Sequence, residues 1–139
     1  MPAPTKREEF LERFPEIHEF VDCAGQSRRF QFSVRATEEY GYHFTAAEII
    51  NGPDGYEFST FSDTSPIVAF TKLTAKIRKA LAQRFLDLQS PTFNLLHSEV
   101  HGRVSYGGVV IDGRFVTWDQ FIDLVQTHEG WEFKLDFLP

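Results

Sequence analysis

Three lysines, Lys72, Lys76 and Lys79, recur at i, i+4 and i+7 and so share one face of a helix. Ammonium groups at that spacing form a stripe suited to phosphate or carboxylate. Arg78 and Arg84 add to it, and no Asp or Glu stands between Thr64 and Leu86. The segment carries +5, which leaves −11 for the rest of a chain whose net charge is −6. A solvated helix face balancing an acidic body has the same pattern, since charged outer faces are the rule on surface helices. A uniformly acidic body is a poor polyanion ligand, because phosphate binding rests on Lys and Arg.

Other residues able to do chemistry are scattered. His97 and His101 stand at i, i+4, but Glu99 falls between them and the run is not H-E-x-x-H. On a strand they would lie about 13 Å apart at roughly 3.3 Å per residue, too far for one ion. His18, His43 and His128 are isolated. No metal site and no cofactor is expected. Cys23 is the only cysteine and follows Asp22. It can form no intrachain disulfide, and an acidic neighbour disfavours the thiolate. The chain has no G-x-S-x-G, P-loop or G-x-G-x-x-G motif. No catalytic residue is assigned, and the reading leans away from an enzyme. Tyr40, Tyr42, Tyr56 and Tyr106, with Glu38, Glu39 and Glu57 near three of them, suit a protein-contact surface.

The elements that would position these residues are clearest between Val109 and Phe137. Asp112-Gly113 is a tight-turn pair. Thr117 and Gln120 form a capping box that opens a helix, with Val116 and Phe121 as its hydrophobic staple. Trp118, Phe121, Ile122 and Val125 follow at helical spacing. Gly130 suits the helix end. Trp131, Phe133, Leu135 and Phe137 then alternate with Glu132, Lys134 and Asp136, which predicts a final strand. Trp118, Phe121, Val125, Phe133 and Leu135 are expected to be mostly buried in one cluster.

The pattern I-D-G, T-W-x-x-F, E-G-W-x-F-x-L in this stretch resembles a motif of small bacterial proteins of unknown function. It covers about a fifth of the chain. The resemblance implies a shared fold and brings no activity, ligand or catalytic residue.

Upstream, Thr5 and Glu8 cap a helix carrying Phe10, Leu11 and Phe14. Pro15 interrupts or restarts it, and Ile17, Phe20 and Val21 continue its apolar side. Met1 to Pro4 reads as a loose tail. Strands are predicted over 30–35, 42–50 and 56–61, with turns at 38–41 and 51–55. Ser65-Pro66 opens the longest helix. Its apolar face is Phe70, Leu73, Ile77, Leu81, Phe85 and Leu88, and Ser90-Pro91 stops it. Val100, Val104 and Tyr106 suggest another strand before Val109. The order of helix, three strands and helix resembles a double-stranded RNA-binding domain, which also has basic residues at the start of its second helix. The Gly-rich, Lys-Lys start of that helix is replaced here by Asp63-Thr64-Ser65-Pro66.

The expected fold is α+β, a mainly antiparallel sheet with helices on one face, ordered αβββα then ββ(β)αβ. The 139 residues, 15 of them Phe, suffice for one domain with its own core, with a possible subdivision near 89–94. The N-terminus has no signal-peptide core, and no apolar run approaches a membrane span. With a lone cysteine, a cytoplasmic setting is the simplest expectation. The leading expectation for function is a non-enzymatic module that binds another protein, of immunity, antitoxin or regulatory type. The alternative is an RNA- or nucleic-acid-binding domain using the basic helix 66–88. The third is an enzyme with an unmarked site.

Overall fold

A computed structural model describes residues 5–37, 39, 41–87 and 93–139. The expected N-terminal tail, Glu38, Tyr40, Leu88 and the Ser90-Pro91 stop lie outside the described residues. The chain is α+β with antiparallel pairing throughout. Helix α1 (Lys6–Glu12) is followed by β1 (Glu16–Val21), β2 (Ser27–Thr37), β3 (Gly41–Glu48) and β4 (Glu57–Ser62), which form one sheet in that order. Helix α2 (Pro66–Leu81) leads to a second sheet of β5 (Arg103–Ser105), β6 (Gly108–Ile111) and β7 (Arg114–Thr117). Helix α3 (Trp118–Gln126) follows. No helix among the described residues is long and apolar enough to cross a membrane.

Side-chain period decides the first sheet. Phe30 and Phe32 on β2 and Phe44 and Ala46 on β3 are buried at every second position. Against them α2 lays Ala69, Leu73, Ile77 and Leu81, a buried stripe at helical spacing. Phe10 and Phe14 close the end of this core, each within 6.2 Å of the Phe44 ring. Both capping boxes form as expected, Thr5 with Glu8 and Thr117 with Gln120.

Three expectations are corrected. Residues 16–21 are a strand, not the continuation of a helix. Proline cannot donate to the preceding turn and its ring clashes with it, and the segment pairs with β2 instead, Glu16 opposite Phe32 and Val21 opposite Ser27. The first sheet therefore has four strands, and the helix–three strands–helix order likened to a double-stranded RNA-binding domain does not hold. Second, α2 ends at Leu81, so Phe85 belongs to the connection and packs with the second core. Third, residues 131–137 form no strand. The β6–β7 hairpin shows why they do not extend its sheet beyond β7. Along the outer edge of β7 the free donors are the amides of Phe115 and Thr117. The first already donates to the Asp54 carboxylate at 2.7 Å and the second to the Gln120 side chain at 2.9 Å.

The two sheets meet at the turn of that hairpin. Asp112 and Gly113 both have positive φ, 53° and 74°, the conformation of a two-residue type I′ turn. One Asp112 carboxylate oxygen accepts from the amides of Phe85 and Leu86, each at 2.8 Å. The Gly113 carbonyl accepts from the Gly55 amide at 2.7 Å. A Cβ on Gly113 would stand 2.8 Å from the Tyr56 ring. Gly113→Ala should therefore lose about 1–3 kcal/mol from left-handed strain alone, and more from the displaced tyrosine. Chemical denaturation of the variant measures it, and an unchanged midpoint would contradict the packing of the turn on Tyr56.

Candidate functional site

Beside this junction lies the most buried charge cluster. Arg28 reaches from β2 to Asp22 (Nε to Oδ2, 2.9 Å) and to Glu48 (Nη1 to Oε2, 2.9 Å), and its guanidinium lies over the Tyr56 ring at 5.3 Å. The Asp22 side chain is 2% exposed and that of Arg28 10%. Asp22 also accepts from the amides of Ala24 and Gln26, and Arg84 approaches it at 3.7 Å. Burial alone would push the Asp22 carboxyl up. The hydrogen bonds from Arg28, Gln26 and Ala24 outweigh it and hold the group below its ordinary value. Burial and the nearby Asp112 carboxylate raise the Tyr56 hydroxyl well above its usual range, so it stays protonated. The cluster fixes backbone, and its charges are turned on each other.

The opposite situation holds on α3. Its buried side is Leu124, with Phe121 half-buried in the second core beside Val109, Ile111 and Val116. Trp118, Ile122 and Val125 form a neighbouring stripe that is 44%, 53% and 54% exposed. Beyond Gly130, Trp131 is 66% exposed, Phe133 90% and Leu135 66%, with Phe137 and Leu138 more exposed than either leucine or tryptophan. The expected cluster of Trp118, Phe121, Val125, Phe133 and Leu135 is therefore corrected. Only Phe121 of the five joins a core, because the helix turns Leu124 and Phe121 to the sheet and the final segment has no strand to pair with. What the sequence marks as amphipathic, the fold leaves uncovered.

The lysine stripe lies on the far module. Lys72, Lys76 and Lys79 are all exposed, opposite the buried Leu73 and Ile77. Lys76 donates to the Ser59 carbonyl at 3.3 Å. Among the described residues no carboxylate lies within ion-pair distance of the three. Arg78 lies over the Phe20 ring and Arg84 turns to Asp22, so the five basic groups do not form one stripe. His97 and His101 are on an irregular stretch, since β5 begins only at Arg103. The His101 ring stacks on Phe85 at 5.1 Å. No group of three or more His, Cys, Asp or Glu able to hold a metal ion occurs among the described residues. Cys23 is exposed. Tyr106 is fully exposed, while Tyr42 and Tyr56 are partly buried against the first core.

Fold and surface together define a small two-sheet α+β chain with an uncovered apolar face on its C-terminal half. The chain belongs to the family described as Domain of unknown function (DUF7686), whose model matches residues 12–82, half of its length. A second model, Domain of unknown function (DUF7713), matches residues 86–139. The two matches part where α2 has ended and the second sheet has yet to begin. No curated protein and no solved structure matches the chain.

The sequence marks Glu48 only as part of a strand and Asp112 only as a turn residue, and nothing in it links Asp22 with Arg28. Their partners lie up to 27 residues away, and no local period marks them. A buried ion pair broken at one partner costs about 3–5 kcal/mol, so Arg28→Ala should destabilise by that order. The pH dependence has a definite sign. Because the folded Asp22 carboxyl is lowered, its contribution is complete above its ordinary value near 4 and is lost as pH falls through the lowered one. Denaturant melts across pH 2–7 should show wild-type stability falling at the acid end, with that loss blunted in Arg28→Ala.

Proposed function

We propose that this chain is a non-enzymatic protein-binding module that docks through its C-terminal half. The observation that supports this is the set of uncovered apolar side chains on one stripe of α3 (Trp118, Ile122 and Val125) and on the segment after it (Trp131, Phe133, Leu135, Phe137 and Leu138). Contiguous exposed apolar surface beyond a few hundred Å² marks interaction sites in soluble proteins. Aromatic side chains, which dominate interfaces by area, supply most of it here. The polar rim is also present, in Asp119, Asp123, Glu129, Glu132, Lys134 and Asp136. A compact acidic binder of this kind suits an immunity, antitoxin or regulatory role in the cytoplasm. The two sheets serve it as one domain, in which the first sheet and the charge cluster hold the second sheet rigid behind the docking face.

A second reading is supported by one observation, the three exposed lysines of α2 without carboxylate partners among the described residues. It assigns Lys72, Lys76 and Lys79 to RNA or another polyanion. Replacing all three by Gln should change stability little. If they bind a nucleic-acid backbone, wild-type binding falls steeply with salt and each lost contact reduces the log–log slope by roughly 0.7–0.9. No binding at low ionic strength removes that reading.

The docking reading is checked with the protein's own chromophores. Both tryptophans, Trp118 and Trp131, lie on the proposed face. The isolated, dilute protein should show red-shifted emission readily quenched by acrylamide. Adding the fraction that co-purifies with it should blue-shift the emission and protect it. Emission of the dilute protein that already resists quenching would mean that the face is covered within the chain.

A further inference from the structure

We infer that the occupant of the apolar face is a second copy of this chain, with residues 131–138 of each copy laid on the Trp118–Ile122–Val125 stripe of the other. The inference rests on the docking reading above and names its partner. Each chain carries both halves of a matched pair. One half is an extended segment whose apolar side chains, Trp131, Phe133, Leu135 and Phe137, alternate with charged ones, so a single face demands cover. The other is a helical stripe of three large apolar residues that the sheet does not reach. Only the short 127–130 stretch separates them. His128 and Gly130 lie in it, and the Trp131 amide donates to the His128 carbonyl at 2.9 Å. Within one copy the segment leaves this turn without meeting the stripe, as its exposure shows.

A two-fold pair of chains satisfies both halves twice, the self-complementarity that an isologous interface requires. The area is sufficient. Buried aromatics remove about 150–250 Å² each, so the segment and stripe offer on the order of 1,000 Å² per copy, against about 800 Å² per partner in a stable standard interface. A partner of other chemistry would have to present two surfaces, one for the segment and one for the stripe.

Charge sets a second signature. Each copy carries −6, and the stripe is flanked by Asp119 and Asp123 while the segment adds Glu132 and Asp136 against Lys134 alone. Like charges oppose the pairing, and salt screens them. Self-association should therefore tighten as salt is added, the reverse of nucleic-acid binding.

The test is sedimentation of the full chain from low micromolar to about 100 µM at low and moderate salt. The expected result is a species of twice 16.0 kDa that is favoured by concentration and by salt. Phe133→Asp and Ile122→Asp should each weaken it by about tenfold or more, with unchanged circular dichroism because both side chains are exposed in the single chain. Mixing the two variants should restore a dimer in part, since one segment from the Ile122→Asp chain still meets one intact stripe on the Phe133→Asp chain. A wild type that stays monomeric throughout overturns the inference. So does a dimer indifferent to both substitutions. If that monomer still has quenchable tryptophans that a co-purifying partner protects, the docking reading survives with another occupant. If its tryptophans resist quenching unaided, both fall.

Discussion

A single carboxylate oxygen on Asp112 receives the amides of Phe85 and Leu86, and the geometry of the chain depends on that contact. It arrests the backbone where α2 has finished and turns it toward the second sheet. The residue can do this only because it occupies a left-handed position in a type I′ turn, with Gly113 behind it in the same region. Gly113 then lets the Tyr56 ring come close, and its carbonyl takes the Gly55 amide. Asp54 returns the bond to Phe115 on the other side. The Asp112 carboxylate is met by amides of the connection after α2, and Gly113 and Phe115 by Gly55 and Asp54 of the loop before β4, and hydrogen bonds to charged groups are the stronger kind.

That arrangement has a consequence for the C-terminal half. By drawing Asp54 onto the Phe115 amide, the junction occupies the edge of β7 that a following strand would use. Gln120, engaged in the cap of α3, occupies the next donor on the same edge. The devices that stabilise the hairpin and start the helix thus deny the 131–137 segment the outer edge of β7. An amphipathic segment that pairs with no strand, beside a helix stripe without a cover, has its apolar area left for association. The same local chemistry accounts for the order of the interior and for the uncovered exterior.

Much of the fold was legible from side-chain period and punctuation. The alternation of Phe30, Phe32 and Val34, the turn at 51–55, the Ser65-Pro66 start of α2 and both capping boxes stand where the residues place them. Ile17, Phe20 and Val21 fit a helical spacing, but His18 and Phe20 fit a strand equally, and only pairing with β2 decides. Trp131–Phe137 has a clean strand pattern, yet a pattern states which face is apolar and not whether an edge is free. The face of α3 departs from its spacing for a related reason. Trp118, Phe121, Ile122 and Val125 define a wide apolar arc, and the sheet covers only the side bearing Leu124 and Phe121. Arg28 with Asp22 and Glu48 was illegible, because long-range ion pairs leave no period. The lysines of α2 are where their spacing puts them, on the exposed side.

Residues 131–137 are unpaired within their own chain. Hydrogen exchange followed by mass spectrometry on this chain reads this directly, since amide protection reports hydrogen bonding segment by segment. In dilute solution the amides of 131–137 should exchange freely while those of β2 and β3 remain protected. Protection of 131–137 matching β2 and β3 at every dilution would contradict the account, since the segment would then be a strand of its own sheet.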